Sequence, residues 1–298
     1  MVNIPSAKQT CAIITTYQPE HCLVECVKSI MSQVAEIIIV DDGNSKGNVA
    51  KLGRWFGNIS QVTLWHQKTN SGIAAALNVG VNIAREKGYK WFLTLDDDSI
   101  PDSDMVQRLC EHLAKIKDPQ TVGIIGMMRS DNNRRTTLPE RNHHLHLYLD
   151  KRGIITSGSL FSLQTYTAVG PFREEFFIDS VDYDYCMRAR AKGLRVIQVQ
   201  EHGFTHSLGQ EERFQMGGYV VETASHSPIR LYYDFRNSTI LAMEYFPKDP
   251  LFACATAVSQ FKTILRCGLF QKNKKAKLSA MMKGYMDAIR GRMGKIEI

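Results

Sequence analysis

Ile73-Ala74-Ala75-Ala76-Leu77-Asn78-Val79-Gly80-Val81-Asn82-Ile83-Ala84-Arg85-Glu86 is followed, after four residues, by Trp91-Phe92-Leu93-Thr94-Leu95. The first segment reads as a helix with a small, nearly uncharged face and the second as a short buried strand. The alternation extends outward from this pair. Upstream, 11–15 reads as a strand and 20–31 as a helix with apolar positions at Leu23, Val27, Ile30 and Met31. Segments 37–40 and 62–65 are further strands. Downstream, 105–116 is helical and 122–125 is again a strand. Strands alternating with helices through short connections predict an α/β fold: a mainly parallel sheet with helices on both faces.

The pattern weakens over 129–150, which is polar and reads as a loop with a strand near 145–149. His143, His144 and His146 fall there; two adjacent and one alternate make poor metal-ligand geometry. From Ser227 the character changes. Segments 229–245 and 251–265 read as helices, and a last helix places Leu278, Met281, Met282, Tyr285, Met286 and Ile289 at intervals of three and four. The expected division is therefore a first domain over 1–227 and a helical C-terminal region over 228–298.

At 298 residues and 44% apolar, the chain can bury a sizeable core. Residues 1–10 lack an apolar run, which predicts no signal peptide. No stretch approaches the length of a membrane-spanning helix. The seven cysteines are odd in number and irregular in spacing, with no C-x-x-C pair, which favours free thiols over a disulfide or zinc framework. From Lys262 onward ten Lys and Arg stand against Asp287 and Glu297, so that tail carries +8 while residues 1–261 sum to −1. A nucleic-acid binder would spread basic residues across its fold. A basic end beside a neutral body fits an anionic surface.

Ligands of parallel α/β sheets bind beyond the carboxyl ends of the strands. Thr15-Thr16-Tyr17, Asp41-Asp42-Gly43 and Asp96-Asp97-Asp98-Ser99 occupy three such ends. Three adjacent carboxylates repel one another, and an oxygen-loving cation, Mg²⁺ or Mn²⁺, removes that penalty. The competing reading is a solvated acidic turn before a helix capped at Asp102; the Asp41-Asp42 pair at a neighbouring strand end favours the metal. Asn70-Ser71-Gly72 opens the helix quoted first, and Asn78 lies on it. Free N–H groups there would favour an anion, although small residues equally serve close packing on a sheet. Asp182 and Asp184 begin a helical segment whose dipole stabilises carboxylates, and one acid so placed can act as a general base. His202 and His206 frame a further short segment, and a histidine beside an oxygen-rich metal site can complete its shell or contact phosphate.

These motifs, in this order from about residue 10 to 237, resemble an inverting family-2 glycosyltransferase of the glycosyltransferase-A fold. Finer details resemble the bacterial rhamnosyltransferases of that family: Leu95-Asp96 with Asp98-Ser99, Ile155-Thr156-Ser157-Gly158-Ser159, Gly170-Pro171-Phe172, Phe177-Ile178-Asp179 with Val181-Asp182, Arg230 with Tyr232-Tyr233 and Arg236-Asn237, and Gly291-Arg292-Met293-Gly294. Asp97 departs from that group, where Gln is common, and leaves open which two of the three acids hold metal. The resemblance implies a nucleotide-sugar donor, dTDP-β-L-rhamnose, and a single in-line displacement. Asp98 with Asp96 would hold Mg²⁺ or Mn²⁺ on the diphosphate. Asp182 would deprotonate the acceptor hydroxyl. Asp42 or Asp41 would accept the pyrimidine N–H, with Thr15, Thr16 and Tyr17 at the base pocket. His206 would contact metal or diphosphate, and Arg236 would face the diphosphate. The implied acceptor is a cell-surface glycan precursor of the O-antigen or capsule kind, carried on a polyprenyl-diphosphate lipid. The basic, Met-rich tail fits a cytoplasmic protein held peripherally on the anionic inner face of the membrane, or a helix packed on the protein itself or on a second subunit. Competing readings are a UDP-hexose or UDP-galactofuranose donor, a non-catalytic nucleotide-sugar-binding protein, and a nucleotidyltransferase, for which no basic glycine-rich triphosphate loop is seen.

Overall fold

A computed structural model describes residues 5–131, 147–206, 211–216, 219–224 and 226–296, with side chains omitted at 131, 206, 211–216 and 219–224. In chain order the elements are β1 (Thr10–Thr16), α1 (Cys22–Ile30), β2 (Glu36–Asp41), α2 (Lys46–Phe56), β3 (Val62–His66), α3 (Ile73–Glu86), β4 (Trp91–Asp96), β5 (Ser99–Pro101), α4 (Met105–Lys115), β6 (Val122–Asp131), β7 (Tyr148–Asp150), β8 (Ser159–Ser162), α5 (Leu163–Val169), α6 (Val181–Ala191), β9 (Arg195–His206), β10 (Glu211–Met216), β11 (Tyr219–Ala224), α7 (Pro228–Tyr245), α8 (Pro250–Phe270) and α9 (Lys274–Ile289). The chain forms two compact units. One holds residues 1–173 and 182–207; the other holds 174–181 and 208–298.

The first unit is built on one sheet in the order β3-β2-β1-β4-β8-β6-β9-β5, with β7 on β9. The first four strands are parallel, as the strand–helix alternation predicts. Beyond β4 the sheet is mixed. β8 runs antiparallel to both β4 and β6, and β5 and β7 run antiparallel to β9, while β6 and β9 are parallel. The fold is thus α/β with helices on both faces, and its sheet is mixed rather than mainly parallel. The reason is local: β5, β7 and β8 have only three or four residues each, too short to carry a period.

β1 lies between β2 and β4, and Cys11, Ala12, Ile13 and Ile14 are fully buried. Alternation sends Ala12 and Ile14 into a core with Leu23, Cys26, Val27 and Ile30 of α1, Leu52 and Phe56 of α2, and Leu109 and Leu113 of α4. Ile13 points the other way, onto α3. A Cβ at Gly80 would sit 2.4 Å from Ile13 Cγ2. The small face of α3, with Ala74, Ala75, Ala76 and Gly80 buried, therefore serves close helix–sheet packing. On the same side Phe92 stacks on Phe161 at 5.0 Å and Phe172 on Tyr185 at 4.2 Å. Each such buried ring contributes about 1.5–3 kcal/mol by leaving water.

The second unit centres on α7, against which α9 buries Met281, Gly284, Asp287 and Ala288. Gly284 is required, since a Cβ there would lie 2.3 Å from the Tyr232 carbonyl oxygen. Arg236 and Asn237, both fully buried, hold the segment 174–181. Arg236 donates to the carbonyls of Glu175, Phe176 and Gly294, and Asn237 Nδ2 to those of Phe176, Ile178 and Asp179. Phe177, Asp179 and Ser180 in this segment have φ near +60°, a left-handed conformation costly for residues with a Cβ, which persists only where surroundings over-determine it.

Burial, and secondarily the Asp179 carboxylate, pushes Asp234 up from the ordinary 3.8 to about 6, with Arg230 opposing. An acid whose folded pKa is raised destabilises the protein as pH rises from about 3.8 to 6, and fully above that window. Asp234→Asn is therefore expected to raise unfolding free energy by about 1–3 kcal/mol at pH 8 and to leave it unchanged at pH 3.5, measured by urea denaturation at both pH values.

Candidate functional site

The parallel register brings three strand ends side by side. Thr15 is paired with Val40 on one side and Asp96 on the other, and Thr16 is paired with Asp41. The acidic run leaves β4 at this edge. Thr16 Oγ1 donates to Asp97 Oδ2 at 2.6 Å, so the middle acid is fastened to β1. Burial raises the Asp97 pKa to about 6, the Thr16 hydrogen bond opposes this, and the Asp98 charge adds to it. Beneath the run, burial first and then the acids push the Cys22 and Cys26 thiols up, which keeps them neutral. All seven cysteines are free thiols.

The acidic turn is braced by a residue to which the motif reading gave no role. Buried Ser157 accepts the Asp96 N–H at 3.1 Å and shares a 2.8 Å hydrogen bond with the Ser99 hydroxyl. Its neighbour Gly158 adopts φ +73°, donates its N–H to the Thr94 carbonyl at 2.9 Å, and leaves no room for a Cβ, which would fall 2.3 Å from the Phe204 ring. The run of small polar residues at 156–159 was the available signal. Ser99 in β5 is in register with His206 of β9, so the His206 backbone lies one residue from the acids; its side chain lies outside the described residues, as do His143, His144 and His146.

Asp41 and Asp42 are buried and already engaged. Asp41 Oδ1 accepts the Asn44 N–H at 3.0 Å and Asn44 Nδ2 at 2.5 Å, and its Oδ2 lies 2.8 Å from His66 Nδ1. Asp42 accepts the N–H groups of Ser71 and Gly72 at 2.7 and 2.9 Å, and Gln67 Nε2 at 2.9 Å. The Asp42 carboxylate thus takes up two N–H groups of the Asn70–Gly72 turn ahead of α3. Asn78 lies further along α3. It is buried, donates to the Phe172 carbonyl, and accepts the Phe172 N–H and the Tyr166 hydroxyl. It ties α3 to the aromatic cluster. Tyr17, by contrast, is exposed at the end of β1.

Asp182 stands in the first turn of α6, half-buried, with its Oδ1 accepting the Tyr183 N–H at 2.8 Å. Asp184 is buried and paired with Arg188 at 2.7 Å and Arg173 at 3.6 Å, a structural role. Arg236 is fully buried, and its guanidinium is bonded to the Asn237 side chain and three carbonyls.

Among the described residues no group of three or more His, Cys, Asp or Glu side chains is assembled as a metal site. The donor set at 96–98 is nonetheless oxygen-only, which suits Mg²⁺ or Mn²⁺, ions that take one or two carboxylates from the protein and fill their shell with water and phosphate.

Comparison with known proteins bears on what this edge serves. The chain is 27% identical to a dTDP-rhamnosyl transferase, RfbF, of Shigella flexneri, over 95% of its own length and 96% of that protein. It is 25% identical to a PGL/p-HBAD biosynthesis glycosyltransferase of Mycobacterium bovis over 59% of its length and 67% of that protein. Among solved structures, the mannosyltransferase PcManGT of Pyrobaculum calidifontis, in complex with GDP-Man and Mn²⁺, superposes with a TM-score of 0.61 at 14% identity, covering 95% of this chain and 88% of that one. TarS of S. aureus with UDP-GlcNAc gives 0.61 at 14% identity, covering 94% and 81%. The fold is that of the glycosyltransferase-A enzymes. The family model for glycosyl transferase family 2 matches residues 11–172, the span that carries the aligned strand ends, the acidic run and the Ser157 brace, and the chain belongs to that family.

Proposed function

We propose that this glycosyltransferase moves L-rhamnose from dTDP-β-L-rhamnose, with inversion, to a hydroxyl of a lipid-linked cell-surface glycan precursor. The observation that carries the reading is the alignment of Thr15, Thr16, Asp41 and Asp96 at one sheet edge, with Asp97 and Asp98 continuing from it. The end-to-end similarity to a dTDP-rhamnosyl transferase supports the choice of sugar.

In this reading Asp98 and Asp96 hold Mg²⁺ or Mn²⁺ at the donor diphosphate, with His206 as a further contact to metal or phosphate. A cation bound there would neutralise the nucleoside diphosphate as it departs. Asp97 stays with Thr16 and fixes the turn. Thr15 and exposed Tyr17 line the base pocket. Asp41 and Asp42 enter as the acids that set its walls, through Asn44, His66, Ser71 and Gly72, ahead of any direct contact with a ring N–H. Asp182 takes the proton of the acceptor hydroxyl as it attacks the anomeric carbon. The acceptor's lipid places the enzyme peripherally at the inner membrane face; no helix among the described residues is long and apolar enough to cross a membrane.

A panel of nucleotide-sugars tested by thermal shift with and without Mn²⁺ addresses the donor. Stabilisation at saturating dTDP-β-L-rhamnose should be about 2–4 kcal/mol, as expected for ligand at 100 to 1,000 times its dissociation constant, and Mn²⁺-dependent. A comparable response to a UDP-hexose or UDP-galactofuranose alone would transfer the assignment to that donor.

A further inference from the structure

The tail's membrane affinity was expected from α9, whose Met281, Met282, Tyr285, Met286 and Ile289 lie at helical spacing. The structure consumes part of that set, because α9 buries Met281 in its packing on α7. α8 is different. Of its 21 residues only Phe252 and Cys267 are buried, on one face. The opposite face carries Leu251, Val258, Phe261, Leu265 and Leu269 at intervals of three, four and seven, with Leu251, Val258, Phe261 and Leu269 being 71%, 53%, 60% and 64% exposed. Ile264 lies beside them and is also exposed. A helix apolar on its solvent side leaves an unpartnered stripe about 30 Å long at 1.5 Å per residue.

The charge beside the stripe selects the occupant. α8 contains Lys262 and Arg266 and no acidic residue, and both cations fall on one flank of the stripe at 100° per residue. Lys272, Lys274 and Lys275 follow directly. A second copy docking in parallel through this stripe would bring two such basic ends together, which like-charge repulsion opposes, and an antiparallel copy would offer these cations no acid, since α8 has none. Anionic headgroups would instead pair with them while acyl chains take the apolar side chains.

We infer that α8 is the membrane-docking element, lying in the plane of an anionic bilayer with Leu251, Val258, Phe261, Leu265 and Leu269 inserted and Lys262 and Arg266 on headgroups. The inference deepens the membrane-side reading given above and rests on it for the acceptor, but its test does not require transfer.

The test is co-sedimentation of the full chain with vesicles of phosphatidylethanolamine and phosphatidylglycerol, and with phosphatidylcholine vesicles alone. The wild-type chain should pellet with the anionic vesicles and much less with the neutral ones. Val258→Ser/Phe261→Ser/Leu265→Ser should lower partitioning at least tenfold. Lys262→Gln/Arg266→Gln should lower it about fivefold per charge, and this loss should vanish in high salt. These side chains are solvent-exposed, so both variants should keep the wild-type unfolding transition. Mn²⁺-dependent donor binding without vesicles should also be unchanged, which separates this inference from the donor assignment. Wild-type partitioning by the triple-serine variant would overturn the inference. So would a stable wild-type dimer in sedimentation velocity that the triple-serine variant converts to monomer.

Discussion

Asp182→Asn is expected to lower the turnover of sugar transfer by about 10²–10⁴-fold, the usual worth of a positioned general base, with donor affinity unchanged. Asparagine keeps the size of the side chain and an oxygen to accept the Tyr183 N–H, which Asp182 now does at 2.8 Å. It loses only the capacity to take a proton. Asp184, two residues on, cannot substitute, being buried and committed to Arg188 and Arg173. Initial rates with donor and glycan acceptor, alongside calorimetric titration of the donor, separate the two quantities. Transfer persisting within a few-fold of wild type would remove Asp182 from the chemistry.

Arg236→Met should cost about 3–5 kcal/mol of unfolding free energy, the sum expected when several buried carbonyls lose a donor at about 1–3 kcal/mol each. Methionine fills much of the volume but leaves the carbonyls of Glu175, Phe176 and Gly294 without the donor they now share, at 3.0, 3.2 and 2.5 Å. The guanidinium also sits over the rings of Tyr232 and Tyr233, at 5.5 and 4.9 Å, a contact methionine reproduces only in part. The left-handed residues Phe177, Asp179 and Ser180 would lose one of the side chains that hold their segment, leaving Asn237 and Arg230. Lysine is no rescue, since a single ammonium cannot match the planar fork. Urea denaturation measures the loss. An unchanged unfolding curve with a raised donor KM would return Arg236 to the diphosphate.

The contrast between these two residues shows what the sequence makes legible. α3 and β4 were readable because each carries a full period over enough residues, and the parallel half of the sheet follows from their alternation. α2 was missed. Its eleven residues include Gly47 and Gly53, only Leu52 and Phe56 are buried, and its start rests on a Ser45 cap. β9 was missed because Glu201-His202-Gly203 interrupts its apolar run, and β5 and β8 because they are too short. At the site, an acid at the end of a buried strand is informative, since charge there demands a reason. Which acids are already engaged is not. Asp42, Asn78 and Arg236 look like ligand-binding groups by type, and the hydrogen bonds that occupy them come from residues distant in the chain. Ser157 shows the converse, an unremarkable residue type made important by two long-range bonds.

The Thr16–Asp97 hydrogen bond spans 81 positions of the chain, and that separation has a consequence in time. At ribosomal rates of about 5–20 residues per second, β1 emerges roughly 4–16 s before β4. During that interval β1, although buried when folded at every position but Thr15, exposes one unsatisfied edge beside β2. Long-range parallel pairing is intrinsically slow and open to aggregation. Within the parallel half of the sheet, β1 thus has the longest wait for a partner. Lowering the translation temperature or supplying a holdase chaperone should improve soluble yield more than any change to the C-terminal helices.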